Sequence, residues 1–335
     1  MHSKILGNRE DVPRRIAVIG AGQLGSRHFQ GLAETKHAIE ITAVDPNFNA
    51  LHVAKKIFDE MPLNPLIQSV KYLDSPKKLN HVIDLAIIST NSDIRRKVIE
   101  ILLDKVMVNY LILEKVVFQS IKCFEDIMPA LEEKKIKVWV NCPRRKYPFF
   151  QKLREETILS DSLKICVKGS SWGLASNTIH MLDLLAFLSG QTNINLDISE
   201  LDKKLYKSKR AGFIELGGRL LAKTNRGDIL ELVDDKKKRI PLQLSIEFSG
   251  KRLNIDQQQG LISIYSSGTI KNKKPFHMPL QSEMTASVAE QILETGNSDL
   301  TPLHESYLLH RAMLDAFNQH LSEILNKTVT ICPVT

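Results

Sequence analysis

The segment Arg15-Ile16-Ala17-Val18-Ile19-Gly20-Ala21-Gly22-Gln23-Leu24-Gly25 decides how the rest of the chain is read. An apolar run of strand length, Ile16 to Ile19, passes directly into a G-x-G-x-x-G turn, and residues with helical spacing follow. Gly20 permits the tight turn, Gly22 lets the backbone approach a pyrophosphate, and Gly25 lets helix and strand pack closely. The N-terminus of the following helix favours the negative charge. The bare spacing is a weak signal; the strand before it and the helix after it make it specific. Gln23 and Leu24 are counted with the three glycines as cofactor contacts. Asp45 ends the next apolar run, Ile39 to Val44, at the place where a ribose is bound. Its carboxylate accepts bonds from a free 2′-hydroxyl and repels a 2′-phosphate. No Arg or Lys follows it directly, so NAD is expected over NADP.

Outward from this turn, short apolar runs alternate with longer amphipathic ones, the pattern of βαβ units around a parallel sheet. Strands are expected at 15–20, 39–44, 69–72, 84–89, 110–114 and 137–141, with helices near 24–34, 50–58, 94–103 and 121–134. That is a complete doubly wound Rossmann-type α/β domain, residues 1–143. Ser89, Thr90, Asn91 and Glu114 end its fourth and fifth strands, at the carboxyl edge where ligands of this architecture collect, and are taken as further cofactor contacts. Past Pro143 the pattern changes. Helices near 149–159 and 177–188 bracket a strand at 163–168, and strands with turn signals run from Asn193 to Tyr265, including a hairpin of 219–223 with 229–233. Two closing helices follow, 282–294 and one with Thr301 as N-cap and Pro302 as first residue. Residues 144–335 therefore read as an α+β domain with a large, mostly antiparallel open sheet. It is expected to bind substrate and to form oligomers.

The 335 residues are 43% apolar and 25% charged, an ordinary globular balance. No apolar run is long enough to span a bilayer, and the polar stretch Met1 to Pro13 does not read as a secretory leader, so a cytoplasmic protein is expected. Cys123, Cys142, Cys166 and Cys332 lack the spacing of a metal site or a disulfide framework. The net charge of +8 resides largely in short lysine clusters beside turn residues, without the interleaved aromatics of a nucleic-acid module.

Three groups carry chemistry. Lys115 ends an otherwise apolar strand, where partial burial would let it polarise or deprotonate a substrate hydroxyl. His180 stands on a helix in Trp172-Gly173-Leu174-Ala175-Ser176-Asn177-Thr178-Ile179-His180-Met181-Leu182-Asp183, sharing a face with Asn177 and one turn from Asp183. Histidine is the usual acid/base near neutral pH. Arg144, Arg145 and Tyr147 follow the last strand of the first domain, and guanidinium groups suit a carboxylate or phosphate. Trp172, Asn177 and Asp183 are taken with these as substrate contacts.

In this order the motifs resemble the glucose-fructose oxidoreductase, inositol dehydrogenase and MocA family (Gfo/Idh/MocA). They are Gly20 to Gly25, Asp45, Glu114-Lys115-Val116, Asn141-Cys142-Pro143-Arg144-Arg145-Lys146, and His180 with Asp183. The resemblance implies hydride transfer between a nicotinamide and a secondary alcohol or ketone of a sugar or sugar derivative, nucleotide-linked and acidic sugars included, with Lys115 and His180 catalytic. Separately, the alternation of apolar residues in Leu242-Gln243-Leu244-Ser245-Ile246-Glu247-Phe248 gives the second-domain sheet one apolar face, so a homodimer or homotetramer packed through it is expected unless the closing helices cover that face. The segment at Trp172 and the terminal Cys332-Pro333-Val334-Thr335 resemble a subgroup found with nonulosonic-acid pathways. Two residues depart from the family. Val116 replaces a proline, and Ser176 stands where the family has an aspartate four residues before the histidine. Ser176 keeps open the alternative of a non-catalytic dinucleotide- and sugar-binding sensor of the same fold.

Overall fold

The computed structural model describes residues 12–335 and divides them into two compact units. The stretch Met1 to Pro13, read above for a leader, lies outside the described residues except for its last two.

The first unit holds residues 12–114, 127–139 and 279–298. Its strands are β1 (Arg14–Ile19), β2 (Ile39–Val44), β3 (Ile67–Leu73), β4 (Val82–Ile88), β5 (Met107–Leu113) and β6 (Lys137–Val140). They lie in the order β6-β5-β4-β1-β2-β3, and the pairs β1–β2, β1–β4, β2–β3 and β4–β5 are all parallel. Strands covered on both faces need continuous apolar runs. Ile16 to Ile19 and Leu85 to Ile88 meet that need, each at most 2% exposed. β3, β4 and β5 begin two or three residues earlier than the sequence indicates, and the first residue of β5, Met107, is 67% exposed.

The helices are α1 (Gln23–Gly31), α2 (Phe48–Asp59), α3 (Arg95–Lys105), α4 (Ile121–Glu133), α5 (Pro148–Thr157), α6 (Leu174–Ser189), α7 (Gln281–Thr295) and α8 (Leu303–Leu325). α7, far along the chain, belongs to the first unit and packs on α1. The contact needs a glycine, since a Cβ on Gly31 would lie 2.5 Å from the Ser282 carbonyl oxygen.

The second unit holds residues 115–126, 140–278 and 299–335. Its sheet combines β7 (Leu163–Gly169), β8 (Ile194–Asp197), β11 (Gly218–Thr224), β12 (Ile229–Asp234), β13 (Gln243–Phe248), β14 (Lys251–Asp256), β15 (Leu261–Ser266) and β16 (Thr269–Pro275), with β9 (Tyr206–Lys207) and β10 (Ile214–Glu215) a separate small pair. The order is β16-β15-β14-β13-β7-β12-β11-β8, antiparallel except for β12 beside β7. This is the mostly antiparallel sheet expected, with the hairpin turning at Gly227, φ +97°.

The closing helix α8 starts at Leu303, with Pro302 rather than Thr301 as N-cap. The Thr301 hydroxyl is occupied elsewhere, as a donor to Asp183.

Of the two covers open to the apolar face of Leu242 to Phe248, a second copy or the chain's own helices, the chain supplies its own: Leu244, Ile246 and Phe248 are at most 5% exposed within the single chain, whose α6 packs on β12 and α8 on β8. The other face of β7 and β13 carries Lys164, Cys166, Lys168, Gln243, Ser245 and Glu247. All four cysteines are free thiols. Among the described residues no helix is long and apolar enough to cross a membrane.

Candidate functional site

In the first unit the glycine turn closes against the ends of its neighbouring strands. Gly20 N–H donates to the Val44 carbonyl at 2.7 Å, and the Ser89 hydroxyl donates to the Gly20 carbonyl at 2.6 Å. Gly20 has φ +97°, and a Cβ there would sit 2.8 Å from the Thr90 nitrogen. A Cβ on Gly25 would sit 1.7 Å from the Gly20 oxygen, so only glycine allows this strand and helix to meet. Gly22 differs: nothing lies within 4 Å of its Cβ position, and Gly22 and Gln23 are exposed, with Leu24 half-buried. α1 begins at Gly22 without a side-chain cap and without an acidic residue in its first turn. Its free N–H groups and positive dipole end suit a phosphate.

Asp45 stands beside this turn, its two oxygens accepting from the Ala21 N–H at 2.7 Å and the Asn47 N–H at 2.8 Å. Each oxygen keeps a lone pair for a ribose hydroxyl. The Thr90 hydroxyl is buried without a hydrogen-bond partner, an orphan that a ligand would satisfy. Asn91 follows it, half-buried, its carbonyl receiving the Arg95 N–H. These residues fit a dinucleotide. Glu114 is placed away from solvent. It is 3% exposed, and its carboxylate lies 2.7 Å from His28 Nε2, whose Nδ1 faces the Thr285 hydroxyl at 3.1 Å. A carboxylate so enclosed serves the interior of this unit.

The second unit gathers the other candidates around α6. This helix is buried along most of its length and has no acidic residue in its first turn. Two distant carboxylates take that place. Glu215 accepts from the Ala175 N–H at 2.9 Å and the Ser176 N–H at 3.4 Å, and the buried Asp234 accepts from the Leu174 N–H at 3.3 Å. Trp172 donates its indole N–H to the Val233 carbonyl at 2.9 Å, and Asn177 donates its amide to the Trp172 and Gly173 carbonyls. Both hold the turn that starts the helix, so Asn177 is not available to orient His180. Helical spacing put them on one face but gave no sign of this bonding, nor of Glu215 and Asp234.

Lys115 reaches α6 and donates from Nζ to the Ser176 carbonyl at 3.1 Å; the Lys115–Val116 peptide is cis. Its segment is held two residues later, where the Val117 N–H donates to Nε2 of the buried His310 at 3.1 Å. His310 Nδ1 lies 2.8 Å from the Ser306 carbonyl, which fixes a neutral tautomer with Nε2 as acceptor. Ser306 and His310, one turn apart on α8, were missed in the sequence because nothing marks a helical histidine as a backbone anchor.

Asp183 and Arg145, expected as substrate contacts, are paired with each other in the interior. Asp183 is 1% exposed and Arg145 7%. Arg145 Nε lies 3.0 Å from both Asp183 oxygens, the Thr301 hydroxyl donates to the same carboxylate, and Arg145 also pairs with Glu305 at 2.6 Å. Burial alone would lower the Arg145 pKa, but Asp183 and Glu305 hold it above the ordinary guanidinium value. The cluster is closed on itself.

Arg144 is placed differently. It is half-buried in the short turn Pro143–Lys146, and among the described residues its guanidinium has no hydrogen bond or ion pair. Burial lowers its pKa, opposed by Tyr147, Cys142 and Asp183. The Tyr147 hydroxyl beside it has no hydrogen-bond partner among the described residues either. His180 is half-buried with an unpartnered, buried Nδ1. Burial, and then the charges of Lys115 and Arg144 and the neighbouring His310, hold its imidazole well below the ordinary value. His180 is therefore neutral near pH 7.

Residues 14–142 match the family model described as an oxidoreductase family with an NAD-binding Rossmann fold, GFO_IDH_MocA. This segment belongs to the Gfo/Idh/MocA family. No curated protein matches the chain. Solved structures of similar fold include an oxidoreductase from Agrobacterium radiobacter in complex with NAD+, L-tartaric acid and magnesium. It is 16% identical with a TM-score of 0.68, covering 93% of this chain and 97% of that one. UDP-N-acetylglucosamine 3-dehydrogenase from Acidithiobacillus ferrooxidans is 16% identical at TM-score 0.64, covering 91% and 97%. The transcriptional regulator Gal80p from Kluyveromyces lactis is 15% identical at TM-score 0.67, covering 95% and 91%. At these identities the likeness carries the fold over most of the chain. The matched segment includes the whole glycine turn and Asp45.

Two results follow from the second unit. Arg145→Met strands Asp183 in the interior and should lower unfolding stability by about 3–5 kcal/mol, with Asp183→Asn in that background recovering part of the loss; a change within about 0.5 kcal/mol would mean that Arg145 is free for a ligand. The His180 effect has a definite sign. Its folded pKa lies below the unfolded one, so its contribution to stability is intact above about pH 6.5 and is lost as the pH falls toward the folded value. His180→Gln should accordingly narrow the fall in urea stability on acidification from about pH 7.5 to about pH 5, whereas an equal fall in both proteins would contradict the depressed imidazole.

Proposed function

We propose that the chain catalyses reversible hydride transfer between NAD and a secondary alcohol or ketone of a sugar or sugar derivative. What supports this reading is His180, half-buried on α6 with a buried, unpartnered ring nitrogen, on the same helix whose Ser176 carbonyl receives Lys115. An unprotonated imidazole can accept the hydroxyl proton, and because burial and the nearby charges disfavour its conjugate acid it gives that proton up readily.

Lys115, held by the Ser176 carbonyl and indirectly by His310, polarises the same substrate oxygen and stabilises negative charge on it as the proton leaves for His180. The chemistry that NAD supplies when bound is hydride exchange with the substrate carbon. Gly20, Gly22, Gln23, Leu24 and Gly25 would hold its pyrophosphate, Asp45 its adenosine ribose, and Ser89, Thr90 and Asn91 the strand-end side of the molecule. Asp45, with Pro46 to Phe48 following, disfavours the additional phosphate of NADP.

A second reading, a ligand sensor without turnover, has one observation in its favour. Ser176 bonds its hydroxyl to the Gly173 carbonyl, and among the described residues no carboxylate hydrogen-bonds His180 to support an imidazolium. The same fold serves a transcriptional regulator in yeast.

The test is a panel of neutral sugars, uronates and nucleotide sugars mixed with protein and NAD or NADH, read at the nicotinamide absorbance band. NADH should bind more tightly than NADPH. With a turned-over member in hand, Lys115→Met and His180→Ala should each cut turnover by about 10²–10⁴ while leaving NADH affinity nearly unchanged. Wild-type rates in both variants would remove these residues from the mechanism, and ligand binding without hydride exchange across the panel would favour the sensor.

A further inference from the structure

We propose that the stretch Cys332-Pro333-Val334 is a strap that positions Lys115 and the first turn of α6, acting through Gln119 on one side and Glu215 on the other. Gln119 and Glu215 are accordingly positioning residues. The effect on turnover rests on the hydride-transfer reading of the same site, while the effect on the backbone is measured without a substrate.

Residues 328–335 form neither helix nor strand, yet Cys332 and Val334 are fully buried, directly after the exposed Ile331. Irregular chain usually stays at the surface, because its backbone groups need partners once they leave water. Here partners come from two remote places in the same unit. The Cys332 N–H donates to the Gln119 carbonyl at 2.8 Å, and the Gln119 side-chain amide reaches the Val334 carbonyl at 3.5 Å. On the other side the Ile214 N–H donates to the Pro333 carbonyl at 2.9 Å. The Val334 N–H donates back to the Cys332 carbonyl at 2.8 Å, which closes a tight turn at Pro333. Filling the interior would need only the Cys332 and Val334 side chains; this stretch engages main-chain groups on both of its sides.

Both anchors lead to the candidate site. Between Lys115 and Gln119 lie Val116, Val117 and Phe118, all 0% exposed, so a constraint on Gln119 passes along a short packed segment to Lys115. Ile214 precedes Glu215 in β10, which belongs to a sheet of two short strands apart from the large one, so the strap gives β10 a hold that the large sheet does not. Glu215 carries that hold to α6. Its carboxylate accepts from the Ala175 and Ser176 N–H groups, at a helix start with no acidic residue of its own, where a negative charge meets open donors and the positive dipole end. Ser176 is then held from both sides, its N–H by Glu215 and its carbonyl by Lys115 Nζ at 3.1 Å. The path from strap to Gln119, Lys115, Ser176, Glu215, Ile214 and back to the strap is closed. Lysine is a flexible side chain, so a bond to one carbonyl fixes its ammonium only as firmly as that carbonyl is fixed.

The experiment compares the full chain with Glu215→Gln and with a chain that stops at Ile331, by hydrogen-deuterium exchange and mass spectrometry in native buffer. Stopping at Ile331 should speed exchange in peptides covering 115–120 and 172–180, and Glu215→Gln should speed it in 172–180 alone, with the hairpin 219–233 and strands β1 and β2 exchanging as in the full chain. Should the shortened chain not fold, Ile214→Pro removes the N–H donated to Pro333 and should give the 172–180 response by itself. Unchanged exchange at 172–180 in Glu215→Gln, or a rise spread evenly over the second unit when the strap is cut, would overturn the proposal and leave the stretch as packing. With a turned-over substrate, the same variants should lower kcat by up to about 10² and leave the KM for NADH nearly unchanged. Faster exchange at 172–180 with wild-type kcat would keep the strap and remove Lys115 and His180 from the mechanism. Hydride transfer in a protein whose exchange ignores every one of these changes would keep that mechanism and remove the strap.

Discussion

The buried pair of Asp183 and Arg145 fixes what the second unit can do. It joins the middle of α6, the turn after β6 and the start of α8 through Glu305 and Thr301, all at low exposure. A charge pair taken out of water must have its remaining lone pairs and protons satisfied, and here they are. Committed in this way to Arg145 and Thr301, Asp183 makes no hydrogen bond to Arg144, one residue before Arg145, or to His180, one turn back. The positive character around His180 is thus a consequence of how the interior is held together.

That arrangement differs from a histidine supported by a carboxylate on its own helix. Ser176 places a hydroxyl and a carbonyl at the position four residues before His180, and the carbonyl receives Lys115. With a carboxylate partner an imidazole favours its protonated form; with cations it favours the neutral one. The second case suits a group that must begin as a base. His310 contributes without touching a substrate, since its neutral ring anchors the backbone just beyond Lys115 and so sets where that side chain starts.

Much of the fold was legible because parallel strands and their glycine turn are local features. Ile16 to Ile19 and Gly20 to Gly25 carry their own signature, and the structure gives each glycine a steric reason. Strand starts such as Met107 were not legible, because the apolar run continues backward into the preceding segment without a turn signal and only the pairing register shows where the strand begins. For the candidate site, the sequence offers residues but not their partners. Lys115, Arg144 and His180 could be named from position, but nothing local distinguishes Arg144 from Arg145. Only residues 38 and 160 positions away, Asp183 and Glu305, reveal that one arginine is spent. Glu114 and Asn177 misled for the same reason, their partners His28 and the Trp172 carbonyl being visible only in three dimensions.

The most direct measurement of the central claim is isotopic. NADH carrying deuterium at nicotinamide C4 is incubated with the protein and a keto-sugar acid, and the product is analysed by mass spectrometry and NMR. Hydride transfer predicts one deuterium on the new carbinol carbon, delivered from one face of the nicotinamide only, with the hydroxyl proton drawn from solvent. A protein that binds both molecules and leaves every deuterium on the nicotinamide would contradict it.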